Sequence, residues 1–319
     1  MKLLNKIIVV VFIITSVLVL LLSMSGYLKY EQRHLEFTSN FRLQYLLISF
    51  CTFFFWLLAK RYGWLVISLC SIFLNLIVIF PWYTPPQQQI VDQKYESVRV
   101  LVFNVLHDNK RYQNAINLVK NRSVDIAAFL EATPPWDTEL LAIKDVLPYH
   151  FSAEKIQIEV YSRFPLNNPS IKRYGAYRGL VSFQVSVNQS NFIFVATHAY
   201  PQLFFGDVGW QNRNQQLEQG LGSEFQKSNQ PVIIGGDLNV TMWSPYYRSM
   251  IANSSLQNAR QGFGILPTFS VYFPQIPWLA IPLDHFLVSE GVVVTNMETG
   301  RNIGSDHLPI LMDVLIPNQ

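Results

Sequence analysis

Three long apolar runs open the chain: Ile7 to Met24, roughly Tyr45 to Ala59, and Trp64 to Trp82. A helix needs ~20 mostly apolar residues to cross a hydrocarbon core ~30 Å thick. The first and third runs reach that length. Phe41 and Leu43 extend the second, which sets Arg42 and Gln44 near the interface. The pattern predicts three transmembrane helices within residues 1–86. The first run is too long for a signal-peptide h-region and no clean small-x-small site follows it, so it reads as a retained anchor. Pro81, Pro85, Pro86 and Gln87 to Gln89 then break any helix, and residues 87–96 read as a linker.

From about Ser97 the pattern becomes that of a globular α/β domain. Val98 to Val105 and Val124 to Leu130 are apolar runs that read as buried strands, as do Ile156 to Tyr161, Gly179 to Val187, Asn191 to Thr197, Val232 to Gly235, Leu283 to Val288, Val292 to Glu298 and Leu308 to Ile316. Helices are predicted over Asn109 to Asn121, Trp136 to Val146 and Trp210 to Lys227. Many strands with interleaved helices favour a two-sheet α/β sandwich over a single parallel sheet.

Composition sharpens the division. The 319 residues are 50% hydrophobic and only 14% charged, against about 25% charged in ordinary soluble domains. The deficit lies in the first 86 residues. From residue 87 onward there are 17 Lys+Arg and 19 Asp+Glu, so this region lacks the basic excess of a tight nucleic-acid binder. Both cysteines, Cys51 and Cys70, fall in the apolar runs, so cysteine content does not fix the compartment. Positive residues near the spans divide evenly. Lys2, Lys6, Lys60 and Arg61 lie on one side, and Lys29, Arg33, Arg42 and Lys94 on the other. Lys60 and Arg61 flank two spans directly, which predicts the N-terminus inside, a multi-pass protein of the cell (inner) membrane, and a C-terminal domain outside the cytoplasm.

Polar residues recur where apolar strands end. Asn104 ends the first strand, Glu131 follows the second, and His198 follows Thr197. Asp237 and Asn239 follow Gly235-Gly236, Asp284-His285 interrupts an apolar run, and Asp306-His307 sits between Gly304-Ser305 and Leu308-Pro309. Taken singly each has an ordinary reading as a turn residue, a cap or a structural histidine. Taken together they lie where a rigid scaffold can converge side chains on one site. Glu131 with Asn104 suits magnesium, which takes oxygen ligands and often only one or two carboxylates. No His/Cys spacing suggests structural zinc. Neither a phosphate-binding Gly-rich Lys loop nor a Gly-x-Ser-x-Gly elbow is present.

The order of these motifs resembles the endonuclease/exonuclease/phosphatase superfamily, over about residues 97 to 316. They are Asn104-Val105, Phe129-Leu130-Glu131, Tyr161-Ser162-Arg163-Phe164-Pro165, Thr197-His198, Gly236-Asp237-Leu238-Asn239, Leu283-Asp284-His285 and Ser305-Asp306-His307-Leu308-Pro309. The resemblance implies a four-layer α/β sandwich of two facing mixed sheets flanked by helices. It implies that Glu131, Asn104 and Asp306 are metal-site residues for Mg2+, with Mn2+ as the alternative ion. It implies that His307 contacts the phosphate and assists the attacking water, that Asp284 orients His307, and that Asp237 and Asn239 position water and stabilise the transition state. His198 matches the histidine of deoxyribonuclease- and sphingomyelinase-like members, where apurinic endonucleases carry tyrosine. Arg213 matches an arginine many members keep, here taken with Asn239 as substrate-binding. Leu106 departs from the apurinic-endonuclease pattern, which makes a repair role less expected.

The sequence therefore predicts a membrane-anchored, metal-dependent hydrolase of a phosphodiester or phosphomonoester. Lipid headgroups are candidate substrates beside the bilayer, and the aromatic segments Tyr200 to Phe205 and Phe269 to Ile281, with Trp278, agree with this. An extracytoplasmic nuclease is the alternative enzyme, not favoured by charge. A non-catalytic membrane interaction protein on the same fold is the alternative class, marked by lost metal or base positions, and none is lost here.

Overall fold

The computed structural model describes residues 2–27, 32–86, 94–202, 204–226, 228–271 and 277–318. The expected linker therefore falls largely outside the described residues, as do Lys29, Lys227 and positions 272–276 of the second aromatic segment. The N-terminal part is α1 (Lys2–Ser25), the short α2 (Arg33–Phe37) with a 3-10 turn over Thr38–Phe41, α3 (Arg42–Leu58) and α4 (Tyr62–Ile79). Three stretches, Lys6–Ser25, Arg33–Leu58 and Tyr62–Tyr83, are helical, long and apolar enough to cross a membrane.

Polar side chains tie these helices together, as they do where hydrocarbon offers no alternative partner. The Trp56 indole donates to Ser16 Oγ at 2.9 Å, Thr52 and Ser68 share a hydrogen bond of 2.9 Å, and Asn75 donates to Ser23 Oγ at 2.7 Å. Arg42 was expected near the interface. It is instead buried between helices, where Nη1 donates to the Ser23 carbonyl at 2.5 Å.

The remainder is two six-stranded sheets face to face. The strands of the first are β1 (Tyr95–Asn104), β2 (Ile126–Leu130), β3 (Tyr149–Ala153), β4 (Ile158–Ser162), β11 (Val293–Thr299) and β12 (Ile310–Pro317). Those of the second are β5 (Leu166–Arg173), β6 (Gly179–Val187), β7 (Ser190–His198), β8 (Val232–Asp237), β9 (Leu256–Asn258) and β10 (Asp284–Ser289). Their orders are β11-β12-β1-β2-β4-β3 and β5-β6-β7-β8-β10-β9, with β1/β2 and β7/β8 parallel and the other pairs antiparallel.

Period-two alternation explains the layering. Val100, Val102, Ile126 and Ala128 face Phe183, Phe194 and Phe286 between the sheets. Leu101, Phe103, Ala127 and Phe129 point outward and pack with Ala115, Val119, Trp136 and Leu140. These come from α5 (Tyr112–Asn121), α6 (Trp136–Glu139) and the 3-10 turn that follows α6. The helix expected from Asn109 begins later because Asn109 is spent on a turn, donating to the Val105 carbonyl and accepting from the Arg111 amide. The helix expected over Trp136 to Val146 is only this short α6 and its turn. That expected from Trp210 is α7 (Gly206–Gln215), which widens into a π-helix over Gln216–Ser223. There Gln216 turns inward and donates to the Gly179 carbonyl and to Thr197 Oγ1.

The outer face of the second sheet carries the largest departure from a domain on a tether. Leu180, Val195, Ile234 and Leu287 form one core with Leu217, Trp243 and Tyr247, the last from α8 (Pro245–Ala252), and with Leu46, Ile72 and Ile79 from the N-terminal helices. Polar bonds reinforce it. Trp243 Nε1 donates to the Val78 carbonyl, the amides of Gly262 and Gly264 both donate to the Trp82 carbonyl, and Gln44 donates to the Trp278 carbonyl.

Candidate active site

Strand ends converge at one end of the sandwich. Asn104 closes β1, Glu131 follows β2, His198 closes β7 and Asp237 closes β8. Asp237 lies in register with both His198 and Asp284, the first residue of β10. Glycine makes this approach feasible. A side chain at Gly236 would meet the Thr197 carbonyl at 1.9 Å, and one at Gly235 would meet Phe286 and Val102 across the sandwich. Two site residues adopt the left-handed conformation, Glu131 at φ 58° and Asn239 at φ 51°. Asparagine visits that region readily. A glutamate there carries backbone strain of a kind that clusters at functional sites.

Asp237 is the hub. Its Oδ1 accepts the Asn239 amide at 2.8 Å, and its Oδ2 accepts Asn104 Nδ2 at 3.2 Å and Asn239 Nδ2 at 3.1 Å. The same Oδ2 faces His198 Nε2 at 3.6 Å and His307 Nε2 at 3.7 Å. His307 Nδ1 is held by Asp284 Oδ2 at 2.7 Å, which leaves Nε2 as the working nitrogen. The loop carrying His307 is fixed by Ser305, whose hydroxyl donates to the Asn104 carbonyl and accepts the His307 amide. Glu131 Oε1 accepts Arg178 Nη2 at 3.1 Å and lies 3.8 Å from His198 Nε2.

Electrostatics follow from burial and neighbours. Burial raises the Asp237 carboxyl above the usual carboxylate range, and the nearby Asp284 charge adds to this against the pull of His307. Burial opposes a charge on His307, but Asp284 and Asp237 outweigh it and hold the imidazole well above its ordinary value. His198 goes the other way, kept neutral by burial and by the positive charges of Arg178 and His307. Two imidazoles within 4 Å of one carboxylate oxygen are thus pushed in opposite directions.

Asn104, Glu131, Asp237, Asn239, Asp306 and His307 line one cavity of about 480 Å³. The oxygen donors fit a hard divalent cation. Three carboxylates border the cavity with a single buried arginine, Arg178, on Glu131. Asp237, Asp284 and His307 offer ligand atoms within 4.8 Å of one another, although the Asp284–His307 bond already occupies two of those. Asp284 Oδ1 and His198 Nδ1 are buried without a hydrogen-bond partner among the described residues.

Arg213 does not reach the cavity. It is buried behind the site, where Nη2 pairs with Glu36 Oε2 at 2.5 Å, and it touches the site only through Nη1 on the Asn239 carbonyl at 3.5 Å. Arg178 was not anticipated. Its signal was a single cation just ahead of the apolar run Gly179 to Val187, where a charge beside a buried strand needs a partner. Glu36, Phe37 and Asn40 were not anticipated either, because nothing local couples them to residues two hundred positions later.

The family model described as Endonuclease/Exonuclease/phosphatase family matches residues 101–307, more than half of the chain, and the chain belongs to that family. Solved structures agree in fold. D. rerio TDP2 complexed with single strand DNA product is 15% identical with a TM-score of 0.58, covering 69% of this chain and 99% of that one. An endonuclease/exonuclease/phosphatase from Bacteroides vulgatus is 18% identical with a TM-score of 0.56, at 69% and 99% coverage. The mannosyl-6-phosphatase of Bacteroides thetaiotaomicron is 16% identical with a TM-score of 0.55, at 68% and 99% coverage. No curated protein matches the sequence.

Proposed function

We propose that the chain is a membrane-anchored, divalent-metal-dependent phosphoesterase that hydrolyses a phosphodiester or phosphomonoester by in-line attack of water. The observation that carries the reading is the His307–Asp284 pair at 2.7 Å facing Asp237, in a cavity also bordered by Glu131 and Asp306. Glu131, Asn104 and Asp306 are the residues that would hold Mg2+, with Mn2+ as the alternative. Such an ion supplies charge neutralisation at phosphoryl and leaving-group oxygens.

The chain's own groups then divide the work. Asp237, its two oxygens oriented by three hydrogen bonds, accepts a proton from the attacking water. His307, kept protonated and oriented by Asp284, donates from Nε2 to a phosphoryl oxygen. His198 supplies a further donor where negative charge grows, and Asn239, whose amides donate to Asp237 and to the Ala199 carbonyl, holds the base in place. Arg178 holds Glu131 in place.

The three N-terminal stretches anchor the protein in the cell membrane, with the sandwich on the extracytoplasmic side. The start of the second stretch, at Arg33–Phe41, and the sandwich come out on the same side of the membrane by the parity of three spans, and this agrees with their contact. A nuclease activity on this site has less support, because the region from residue 87 onward carries more acidic than basic residues.

The test is product release by the full-length protein in detergent, with Mg2+ and with chelator, on lipid phosphoesters, nucleic acids and small phosphomonoesters. Metal-dependent turnover that disappears in His307→Ala supports the reading. Turnover indifferent to both chelator and His307→Ala overturns it.

A further inference from the structure

The cavity at the site has two unlike halves. Its floor is the polar cluster around Asp237. Its wall includes Phe37, Phe41, Phe204, Leu279 and Ile281, and two of these phenylalanines belong to the N-terminal part rather than to the sandwich. Phe37 and Phe41 stack edge to face with centroids 5.0 Å apart, just ahead of α3. Asn40, the cavity-lining polar residue between them, is already committed to Thr241 and Gln202 of the sandwich. A hydrophilic phosphoester, such as a sugar phosphate or a nucleotide, would therefore bury its non-phosphate end against aromatic and aliphatic groups with few free polar partners.

The apolar wall continues outward. Phe204 is 82% exposed, Trp278 52% and Leu279 47%. Gln44 in the first turn of α3 donates to the Trp278 carbonyl, so this rim stands level with the head of α3, the uninterrupted helix of the second apolar stretch. Aromatic residues favour that level of a bilayer.

We propose that the site takes a phosphoester bearing a long apolar chain, a lipid of the same bilayer, and that Phe37, Phe41, Phe204 and Leu279 select it by receiving the chain beside the phosphate. The inference rests on the phosphoesterase reading and on the spans lying in a membrane. It gives the N-terminal part a second role. Besides anchoring, it completes the substrate pocket, and the Glu36–Arg213 pair holds that wall in register with the site.

The experiment uses the full chain in non-ionic detergent micelles with Mg2+. Dioleoyl and dihexanoyl forms of phosphatidic acid and of phosphatidylglycerol are compared, beside bis(p-nitrophenyl) phosphate and a single-stranded DNA oligomer. For one of the two headgroups, kcat/KM is expected at least tenfold higher for the dioleoyl than for the dihexanoyl form. Partitioning into micelles raises that ratio for every variant alike, so its change on substitution reports the pocket. Phe37→Ser with Phe204→Ser is expected to lower the ratio at least fivefold. Phe204→Ser alone, at an exposed position, is expected to lower it in the same direction without disturbing the fold. A ratio near one, or a ratio unchanged in both variants, overturns the inference and leaves the phosphoesterase reading standing. Turnover of the DNA oligomer with none of either lipid also overturns the inference alone. No metal-dependent turnover of any substrate overturns both.

Discussion

The protein holds two buried charge clusters, close together and built to opposite rules, one of them shared between the N-terminal part and the sandwich. In the first, Glu36 is completely enclosed, and its oxygens accept Ser244 Oγ at 2.6 Å, Trp210 Nε1 at 2.5 Å and Arg213 Nη2 at 2.5 Å. Arg213 spends its other nitrogens on Asn214 and the Asn239 carbonyl. Opposite charges are matched, and Glu36 and Arg213 are both fully buried. In the second, Asp237, Asp284, Glu131 and Asp306 outnumber the cations, Asp284 Oδ1 and His198 Nδ1 lack partners among the described residues, and the cluster opens onto a cavity. A buried charge must be compensated. The first cluster meets that demand internally and is a lock. The second opens its excess of carboxylates to the cavity and is the proposed site.

The largest expected effect tests the second cluster. His307→Ala removes the group that Asp284 orients toward the cavity, and turnover should fall about 10³-fold, within the range for a positioned proton-transfer group. The thermal transition should fall as well, because Asp284 loses the partner of its buried carboxylate, held at 2.7 Å, so turnover is compared on protein shown to be folded. A loss below about tenfold would move His307 out of the working set.

Next comes the lock. Glu36→Leu strands Arg213 as an uncompensated buried cation, which costs about 3–5 kcal/mol. A lower thermal transition in detergent is the readout, with loss of activity following only because the wall of the site moves. Replacing both partners, Glu36→Leu with Arg213→Met, should recover most of the stability, since matched apolar groups often replace a buried pair without loss. If the double variant is as unstable as the single one, the cluster's hydrogen bonds to Trp210 and Ser244 matter more than its charge.

These two clusters were unequally visible in the sequence. Every polar position of the site except Arg178 follows or interrupts an apolar strand run, and the motif order through Asp237-Leu238-Asn239 and Asp306-His307 was sufficient to gather them. The lock was invisible because its members are 177 residues apart and each looks ordinary alone, Glu36 as a loop acid and Arg213 as a helix-end cation. Arg213 was accordingly expected on substrate, and the structure places it against the N-terminal part. Three of the four edge strands, β3, β5 and β9, were lost for a related reason, whereas β11 was expected. β5 reads Leu-Asn-Asn-Pro-Ser-Ile-Lys-Arg, largely exposed and bulged around Pro169, so it has no apolar alternation to detect. The π-widening at Gln216 depends on partners in β6 and β7 that no local window contains.

A smaller effect is expected at the metal-facing rim. Glu131→Gln keeps the shape and the bond to Arg178 as an acceptor but removes a negative charge. The Mg2+ concentration for half-maximal activity should rise about 10–100-fold, comparable to losing a metal site's supporting contact. A titration of activity against Mg2+ measures it. An unchanged requirement would transfer the metal role to Asp306 and Asp237.

Arg178→Lys should have the smallest effect and divides the site cluster most finely. Arg178 spans two partners at once, with Nη2 donating to Glu131 Oε1 at 3.1 Å and Nη1 to Gln157 Oε1 at 2.9 Å. A lysine keeps the charge but has no fork, so it cannot hold both. If Arg178 acts only by orienting Glu131, the Mg2+ requirement should rise by up to about tenfold while kcat at saturating Mg2+ stays within about threefold of the original. If instead kcat at saturating metal falls about 100-fold with the requirement unchanged, the guanidinium itself meets the charge that grows on the reacting phosphate. Arg178 would then belong with His307 and Asp237 as a working group, and the site cluster would be compensated by a cation on its acidic side and by substrate on its basic side.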